Sequence, residues 1–462
     1  MTKKTRLIIL LICAALFFII TPYIVLYSLG YRIDFEKRKI VATGGIYVKA
    51  LPSSAEVIID SKIKTKTGIL SNSAFVQNLS AKTHSVAIKK EGYYDYQKNL
   101  AVKENEVTKL EHVILIKQNN TFKLLDNNVD YFSLSPNENN LLLAAISDKK
   151  VDFKIINLKT QQAQNLSLLA GINLPTTAPQ VLDLQWSGDS SRALINISGS
   201  YFLIKLILPK FSITVIPLLT NAKEISFNPQ DNQEIFFVKD KNLYSSKKSL
   251  PVLKNVIVYQ LANQTITWFS YDGFMYASNV AGNLQSKINL QPLNIKKNGA
   301  YKIKIISGIV FLQEDELLLW VNPSLKIVES FYSSVKDFKI SPDGQKILYC
   351  NDHEILFSSI PSTTAEKMLL NRFSEKISNC YWLNNEYLIF NLGDKVAISE
   401  TDTRGNINTV VLPEKLSLGD DKTIEIERNN TNNPLKIYFS QADKQLYLLT
   451  KKNMLASERL IP

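Results

Sequence analysis

The chain has 462 residues, of which 45% are hydrophobic and 10% aromatic, so it can bury a large core and is not a disordered protein. Its formal net charge is +12, but residues 1–40 hold seven Lys/Arg against two acidic residues, and the remaining +7 is spread over 422 residues. Nucleic-acid binding calls for a concentrated basic face with interleaved aromatics, so we expect no nucleic-acid partner. Val, Ile, Thr, Tyr and Phe fill most apolar runs, which favours an all-β fold.

An uncharged apolar segment of 23 residues, Leu7 to Leu29, lies near the N-terminus. About 20 apolar residues span a bilayer as a helix. Lys3, Lys4 and Arg6 precede the segment and favour a cytoplasmic N-terminus. We therefore expect a single-pass anchor in the cell membrane, with all later domains outside the cytoplasm.

The expected boundaries are a cytoplasmic N-terminus at 1–6, a transmembrane helix at 7–30 and a linker at 31–43. A cleaved signal peptide is the alternative, because Ser28-Leu29-Gly30 is a small-x-small triplet that a signal peptidase could accept. Signal-peptide apolar regions are normally 7–15 residues long, which favours an uncleaved anchor.

Three stretches after the linker alternate apolar and polar residues: 44–69, 83–102 and 107–116. Period 2 interrupted by turn residues is typical of strands. Six short strands within about 75 residues indicate a small β-sandwich.

These stretches resemble the PEGA domain of bacterial and archaeal envelope proteins. Asp60, at a strand end, and Gly92-Tyr93, at a corner, match that family's pattern. The family's Pro-x-Gly-Ala turn reads Pro52-Ser53-Ser54-Ala55 here, so its glycine is missing. The resemblance covers residues 44–116 and implies an extracytoplasmic packing or adhesion module without catalysis.

Lys62, Lys64 and Lys66 alternate and would share one face of a strand. They could bind an anionic wall polymer or lipid phosphate. The other interpretation, which we favour, is an edge strand whose lysines block pairing with another sheet.

From residue 121 onward an alternating strand, a tight polar corner and a second strand recur eight times at intervals of 34 to 53 residues. Two further short strands follow most corners, and four strands per repeat are typical of a propeller blade. The corners lie at Ser135-Pro136, Ser187-Gly188, Asn228-Pro229, Asn263, Gly308, Pro342, Asn384 and Asn430. We expect a β-propeller of eight blades, with seven as the alternative.

The last repeat, "KIYFSQADKQLYLLT", supplies a second and a third strand but no convincing fourth. "TFKLLD" at 121–126 is an extra strand before the first corner. It would complete the last blade and close the ring, with Phe122, Leu124 or Leu125 buried against "KQLYLLT".

The corner Ser341-Pro342-Asp343-Gly344 resembles the Ser-Pro-Asp-Gly corners of TolB-like propellers. Only this corner matches fully. Since related corners recur throughout the region, we interpret Asp343 as a turn residue and not as a catalytic carboxylate.

No chemistry-bearing motif stands out. His84, His112 and His353 are far apart and have no metal-ligand spacing, and no nucleophile elbow or phosphate-binding loop is present. The sequence leaves open whether Cys350 and Cys380 pair; Cys13 lies in the apolar segment. We therefore predict no catalytic residue, no metal site and no cofactor, and the binding residues stay unknown.

Two functions fit this organisation, with domains at 44–117 (PEGA-like sandwich) and 118–462 (propeller). The first is an envelope binding or scaffold protein whose propeller meets a protein or a cell-wall polymer. The alternative is a propeller hydrolase or lyase with a site in the channel. Acidic and histidine side chains converging in the channel would favour the enzyme.

Overall fold

The computed structural model describes residues 3–28, 30–34, 39–147, 150–167, 180–207, 210–360, 367–419, 422–426 and 435–462. The chain divides into two compact units. One unit comprises Met1–Asn120, Ser399–Leu412 and Leu460–Pro462, and the other comprises Thr121–Ile398 and Pro413–Arg459.

The first unit begins with helix α1 (Lys3–Ser28), the expected apolar helix. Its segment Ile8–Ser28 is long and apolar enough to cross a bilayer, a test that a signal sequence also passes. Gly30 then adopts a left-handed conformation with φ +87°, as glycine commonly does just beyond a helix. Arg32 donates a hydrogen bond of 2.8 Å to the carbonyl of Tyr27 and so satisfies an oxygen in the last turn.

Eight strands of the first unit form two four-stranded sheets. One sheet has the order β1-β2-β5 with β8 parallel to β2, and the other has the order β4-β3-β6-β7. The strands are β1 (Tyr31–Asp34), β2 (Lys39–Leu51), β3 (Glu56–Ile59), β4 (Ile63–Lys66), β5 (Ser73–Ser80), β6 (Thr83–Lys89), β7 (Tyr96–Ala101) and β8 (Val107–Ile114).

The two sheets share one hydrophobic core. Alternate residues such as Ile46 and Val48 of β2, Val57 of β3 and Val86 of β6 are fully buried in it. This alternation is the reason why the strands could be recognised in the sequence. Residues 31–34, expected in the linker, instead pair with the start of β2.

The turn without the family's glycine keeps the conformation that glycine favours. Ser54 occupies that position with φ +58°. Asp60 also has a positive φ, of 50°. The Asp60 carboxylate accepts hydrogen bonds from the Ser85 N–H (3.0 Å) and pairs with the His84 ring (2.7 Å).

Strand β4 lies at an edge of its sheet, and Lys64 and Lys66 on it are exposed. Lys62 lies in the turn before it and is also exposed. This placement agrees with lysines that block edge-to-edge pairing.

The second unit consists of consecutive antiparallel sheets, and each of the first seven pairs its strands in chain order. The first four sheets are β10–β13 (Tyr131–Leu134, Asn140–Ser147, Lys150–Asn157, Ala163–Ser167), β14–β17 (Val181–Trp186, Arg192–Ile197, Ser200–Ile207, Lys210–Val215), β18–β20 (Lys223–Asn228, Asp231–Lys239, Asn242–Ser245) and β21–β24 (Val256–Ala262, Thr265–Ser270, Met275–Asn279, Ser286–Lys287). The next three are β25–β28 (Tyr301–Ile306, Ile309–Glu314, Leu317–Val321, Val328–Tyr332), β29–β32 (Asp337–Ile340, Lys346–Cys350, Glu354–Ser359, Met368–Arg372) and β33–β36 (Ile377–Trp382, Tyr387–Leu392, Lys395–Glu400, Thr409–Val411). A 3-10 helix (Pro217–Leu219) precedes the third sheet, and β33–β36 runs into the segment Ser399–Leu412 of the first unit.

The eighth sheet joins the two ends of this region. It contains β39 (Lys436–Phe439), β40 (Gln445–Thr450), β41 (Asn453–Arg459) and β9 (Phe122–Asp126). The expectation that residues 121–126 complete the last sheet is therefore correct. Their partner is β41, not "KQLYLLT", and Phe122 is buried whereas Leu124 is 43% exposed.

The predicted position of the corner in the eighth sheet is wrong. Asn430 lies outside the described residues, and the corner follows β39, so "KIYF" is the first strand of its sheet and not the second. An extra hairpin, β37 (Lys415–Gly419) with β38 (Lys422–Glu425), precedes it. Because the residues of β38 alternate as those of a first strand do, the sequence predicts that the last repeat begins with β38. It begins one strand later, with β39.

The first and eighth sheets pack against each other. Phe132 and Leu141 of the first sheet share a buried cluster with Tyr447 and Met454 of the eighth. Glu138, in the first corner, accepts hydrogen bonds from the Ser440 hydroxyl (2.6 Å) and the Ala442 N–H (2.7 Å) of the last corner.

Candidate functional site

The corner around Asp343 is held by its own side chains. Ser341 donates to the Asp343 carboxylate (2.5 Å), and the Gln345 N–H donates to the same oxygen (3.1 Å). The hydrogen bond from Ser341 lowers the pKa of Asp343. Ser187 and Asp189 repeat this arrangement at 2.7 Å in the second sheet. Asp343 is thus a turn residue, as its repetition indicated.

Three lysines, each on the first strand of its sheet, donate hydrogen bonds to the first strand of another sheet: the fifth sheet to the sixth, the sixth to the seventh, and the eighth to the first. We call Lys304, Lys339 and Lys436 the inner-strand lysines. Their Nζ atoms donate to the carbonyls of Phe338 (3.1 Å), Cys380 (2.7 Å) and Phe132 (2.8 Å), respectively. Each of these acceptors lies two residues before the end of the first strand of its sheet.

Each inner-strand lysine also lies over an aromatic ring. Lys304 is 4.2 Å from the ring centroid of Phe338, Lys339 is 3.6 Å from that of Tyr381, and Lys436 is 3.3 Å from that of Tyr131. A cation over an aromatic face is stabilised by the ring quadrupole, more strongly where water is excluded. The same kind of contact therefore links three pairs of neighbouring sheets.

Burial acts on the charge of these lysines. It lowers the pKa of Lys436 to about 8, and it also lowers the pKa of Lys304. At Lys339 burial has the same tendency, but the nearby Tyr381 and Asp337 outweigh it and raise the pKa. The first strands thus carry partly desolvated positive charge, a feature that is frequent at functional sites.

A cleft of about 740 Å³ lies among the third, fourth, fifth and sixth sheets; we call it the lysine cleft. It is formed by the starts of strands β18 and β25, the turn between β19 and β20 and the residues that follow β22. Its walls include Lys223, Glu224, Lys239, Asp240, Lys241, Tyr271, Lys302, Asp315, Glu316 and Lys336.

Four lysines of the cleft have no ion-pair partner. Within the part of the chain that the structure describes, Lys223, Lys239, Lys241 and Lys302 each lie more than 4.0 Å from every carboxylate. Lysine charges in this cleft are therefore available to a ligand.

Two carboxylates of the cleft are already engaged. Asp315 accepts from the Ala300 N–H (2.9 Å) and lies 3.3 Å from Lys296. Glu316 lies 4.0 Å from the Lys336 ammonium. These contacts weaken the negative charge that the two groups present to the cleft.

Glu224 has a conformation that side chains rarely adopt, with φ +47°, and a register shift interrupts the pairing of β18 beside it. The Glu224 side chain is exposed at the mouth of the cleft. Protein atoms around it still remove part of its hydration, which raises the pKa of Glu224, while Lys302 and Lys223 oppose the rise. Strained residues with shifted pKa values cluster at functional sites.

Tyr271 presents an aromatic face at the rim of the cleft. Its side chain is 45% exposed, and the Lys241 ammonium lies 5.0 Å from its ring centroid. An exposed ring beside cations can hold a flat, partly apolar ligand surface while the lysines hold a charge.

A different polar cluster lies in the first unit, where β7 meets the segment Ser399–Leu412. The Lys98 side chain is fully buried, and its ammonium donates to Glu400 Oε1 (2.7 Å) and to the carbonyls of Asp402 (2.8 Å) and Asn406 (3.0 Å). Three acceptors satisfy all three ammonium hydrogens. The Tyr96 hydroxyl donates to the second Glu400 oxygen (2.8 Å), so the pair is closed to ligands.

The histidines and cysteines form no site in the described ranges. His84 is buried between Asp60 and the Ser80 carbonyl (2.8 Å), whereas His112 and His353 are exposed. No group of three His, Cys, Asp or Glu side chains there could hold a metal ion.

Cys350 and Cys380 are free thiols on adjacent sheets. Both are buried, and burial together with the neighbouring Cys350 raises the pKa of Cys380.

Comparison with known proteins finds a family match for part of the first unit. A PEGA domain family model matches residues 43–118, which confirms the resemblance seen at 44–116. No curated protein matches the chain significantly.

Among solved structures, the chain is similar to the Dos1 propeller, with 11% identity and a TM-score of 0.48 over 74% of this chain and 96% of that one. It is also similar to the Cps50 (Swd1) β-propeller domain of Myceliophteria thermophila, with 10% identity and a TM-score of 0.38 over 74% and 99%. A chain of a mitotic checkpoint complex follows, with 9% identity and a TM-score of 0.41 over 74% and 92%. At these levels no shared function is established.

Proposed function

We propose that this protein is a membrane-anchored, extracytoplasmic binding or scaffold protein of the cell envelope. The observation that carries the proposal is the order of its parts: an apolar helix, a match to the PEGA domain at 43–118, and then the series of sheets. The helix would cross the membrane once with the N-terminus in the cytoplasm, because Lys3, Lys4 and Arg6 precede it.

The finer architecture is part of the same proposal. The PEGA-like unit is a β-sandwich, and the eight sheets, with β9 completing the last, are the blades of a propeller; seven blades is the alternative. Contacts between the first strands of neighbouring sheets, such as β21 with β25 and β29 with β33, support a ring of blades. The domains would be 44–117 and 118–462, and kinship with TolB-like propellers rests on the Ser341–Gly344 corner.

The propeller serves as the interaction platform in this account. An enzyme would be favoured by acidic and histidine side chains that converge on the first strands. The described first strands carry no histidine. They carry three carboxylates, Asp183, Glu224 and Asp337, and Asp337 is paired with Lys339 at 3.0 Å. Their lysines and aromatic residues are in contact, namely Lys304, Lys339 and Lys436 with Phe338, Tyr381 and Tyr131. Such side chains suit ligand binding, and the proposed protein is not an enzyme.

Photo-crosslinking in intact cells tests the platform. A photoreactive p-benzoylphenylalanine at Tyr271, at the rim of the lysine cleft, should yield a discrete adduct. The same residue at Lys159, an exposed position in the turn between β12 and β13 of the first sheet, is the matched control and should yield none. Equal adducts, or none, at both positions would contradict the assignment of the platform to this cleft.

A further inference from the structure

We propose that the lysine cleft binds a phosphorylated saccharide, with the unpaired lysines holding the phosphate and Tyr271 holding the sugar ring. This inference rests on the proposed envelope function and specifies the ligand of its platform.

The charge of the cleft selects an anion. Five lysines and four carboxylates line its walls, and Lys241 and Lys302 are two of the four lysines without a carboxylate within 4.0 Å. Asp315 is already hydrogen-bonded to a backbone N–H and paired with Lys296. An ammonium group binds phosphate as a point charge and needs no fixed geometry, which suits lysines spread over several strands.

The shape of the cleft requires more than an inorganic ion. Its volume of about 740 Å³ is of the size that holds small organic ligands, and a single phosphate would leave most of it empty. Tyr271 is 45% exposed and the Lys241 ammonium lies 5.0 Å from its ring centroid, so a ring and a charge can be bound side by side. A saccharide ring has the apolar C–H face that packs on an aromatic side chain.

Glu224 adds a hydrogen-bond acceptor to these groups. Its carboxylate has no hydrogen bond or ion pair within the described ranges, and it shares the cleft with Lys302 and Lys223. A carboxylate accepts hydrogen bonds from hydroxyl groups, so it fits the hydroxyls of a sugar. A ligand that carried phosphate alone would gain nothing from this side chain.

The test uses the full chain in nanodiscs of zwitterionic lipid. Binding of fluorescein-labelled phosphorylated dextran is measured by fluorescence anisotropy, with neutral dextran and linear polyphosphate as comparison probes. Phosphorylated dextran should bind, and neutral dextran should bind at least roughly tenfold more weakly, because hydrogen bonds to charged groups carry this much affinity. Polyphosphate should bind without any contribution from Tyr271.

Variants separate the two halves of the site. The pair Lys241→Gln and Lys302→Gln should weaken binding of phosphorylated dextran by roughly tenfold or more. Tyr271→Ala should weaken phosphorylated dextran but leave polyphosphate unchanged. Lys150→Gln with Lys159→Gln removes the same charge from exposed positions of the first sheet and should change nothing.

The proposal is overturned if neutral dextran binds as tightly as the phosphorylated form, or if the two charge-matched pairs weaken binding equally. Unchanged binding in Lys241→Gln/Lys302→Gln would also overturn it. Adducts at Tyr271 in cells without binding of phosphorylated dextran would reject this ligand while leaving the envelope platform intact. Binding of phosphorylated dextran in vitro by a protein whose domains face the cytoplasm in cells would reject the envelope function and leave the ligand assignment intact.

Discussion

Replacing Lys98 by methionine tests the buried ion pair of the first unit. Methionine fills similar volume but cannot donate, so Glu400 would keep its buried charge without the ammonium. Lys98 has no exposed side-chain surface and Glu400 has only 4%. Breaking a buried pair by removing one partner typically costs about 3–5 kcal/mol, a large share of a total stability of about 5–15 kcal/mol.

Hydrogen exchange at strand β7 measures this loss locally. The backbone N–H groups of Gln97 and Asn99 donate to the side-chain oxygens of Asn408 (3.0 Å) and Asn406 (3.1 Å), so their protection depends on the segment Ser399–Leu412. If the opening of that segment becomes about 3–5 kcal/mol easier, exchange at these amides should accelerate by roughly 100-fold or more.

Lys89→Met is the matched control. Lys89 pairs with Asp95 on the surface, and both side chains are more than 40% exposed. An exposed pair contributes about 0–1 kcal/mol, so exchange at Gln97 and Asn99 should stay near wild type. Adding Glu400→Gln to Lys98→Met should restore part of the protection by removing the unpaired charge. Exchange in Lys98→Met that matches wild type would refute the reasoning.

Three further predictions concern the second unit. Phe122→Ala should lower the free energy of unfolding in urea by about 3–5 kcal/mol, because Phe122 is buried. Leu124→Ala, at an exposed position of the same strand, should lower it by less than about 1 kcal/mol, and equal losses would mean that β9 does not complete the last sheet. Burial lowers the pKa of Lys436 from 10.5 to about 8, so between these pH values the unfolded chain binds more protons than the folded chain. The free energy of unfolding should therefore rise as the pH rises above 8, and Lys436→Met should lack this rise. Parallel urea titrations below about pH 10, where tyrosines begin to titrate, measure the difference. Cys350 and Cys380 are 7% and 2% exposed, so neither should react with a maleimide in the native protein and both should react in guanidinium; native labelling would contradict their burial between the sixth and seventh sheets.

The strands and most corners could be predicted because their causes are local. In the corner at Asp343 the hydrogen-bonded side chains are two residues apart, and alternation along a strand needs only its own residues. The same locality explains the error in the last sheet. The hairpin β37–β38 alternates like a first strand, and only its pairing distinguishes it from one.

The candidate site could not be predicted, because its parts are distant in the chain. Lys436 and its acceptor Phe132 are 304 residues apart. The walls of the lysine cleft come from four different sheets, and no motif marks them. An isolated lysine on a strand has the same appearance in the sequence whether it is solvated or buried.

Lys98 did carry a signal that was missed. It lies between Tyr96 and Leu100 at the inward-facing positions of β7, where a lysine needs a partner. The partner, Glu400, is 302 residues away, so the sequence could indicate a buried cation there but not what neutralises it.

Labelling of a single introduced cysteine in intact cells tests the central claim, that the propeller is displayed outside the cytoplasm. Lys159→Cys places a thiol at an exposed position, while Cys350 and Cys380 are buried and Cys13 lies in the apolar helix. A membrane-impermeant maleimide should label Lys159→Cys to the same extent before and after lysis, and it should label the wild type in neither case. Labelling of Lys159→Cys only after lysis would contradict the account.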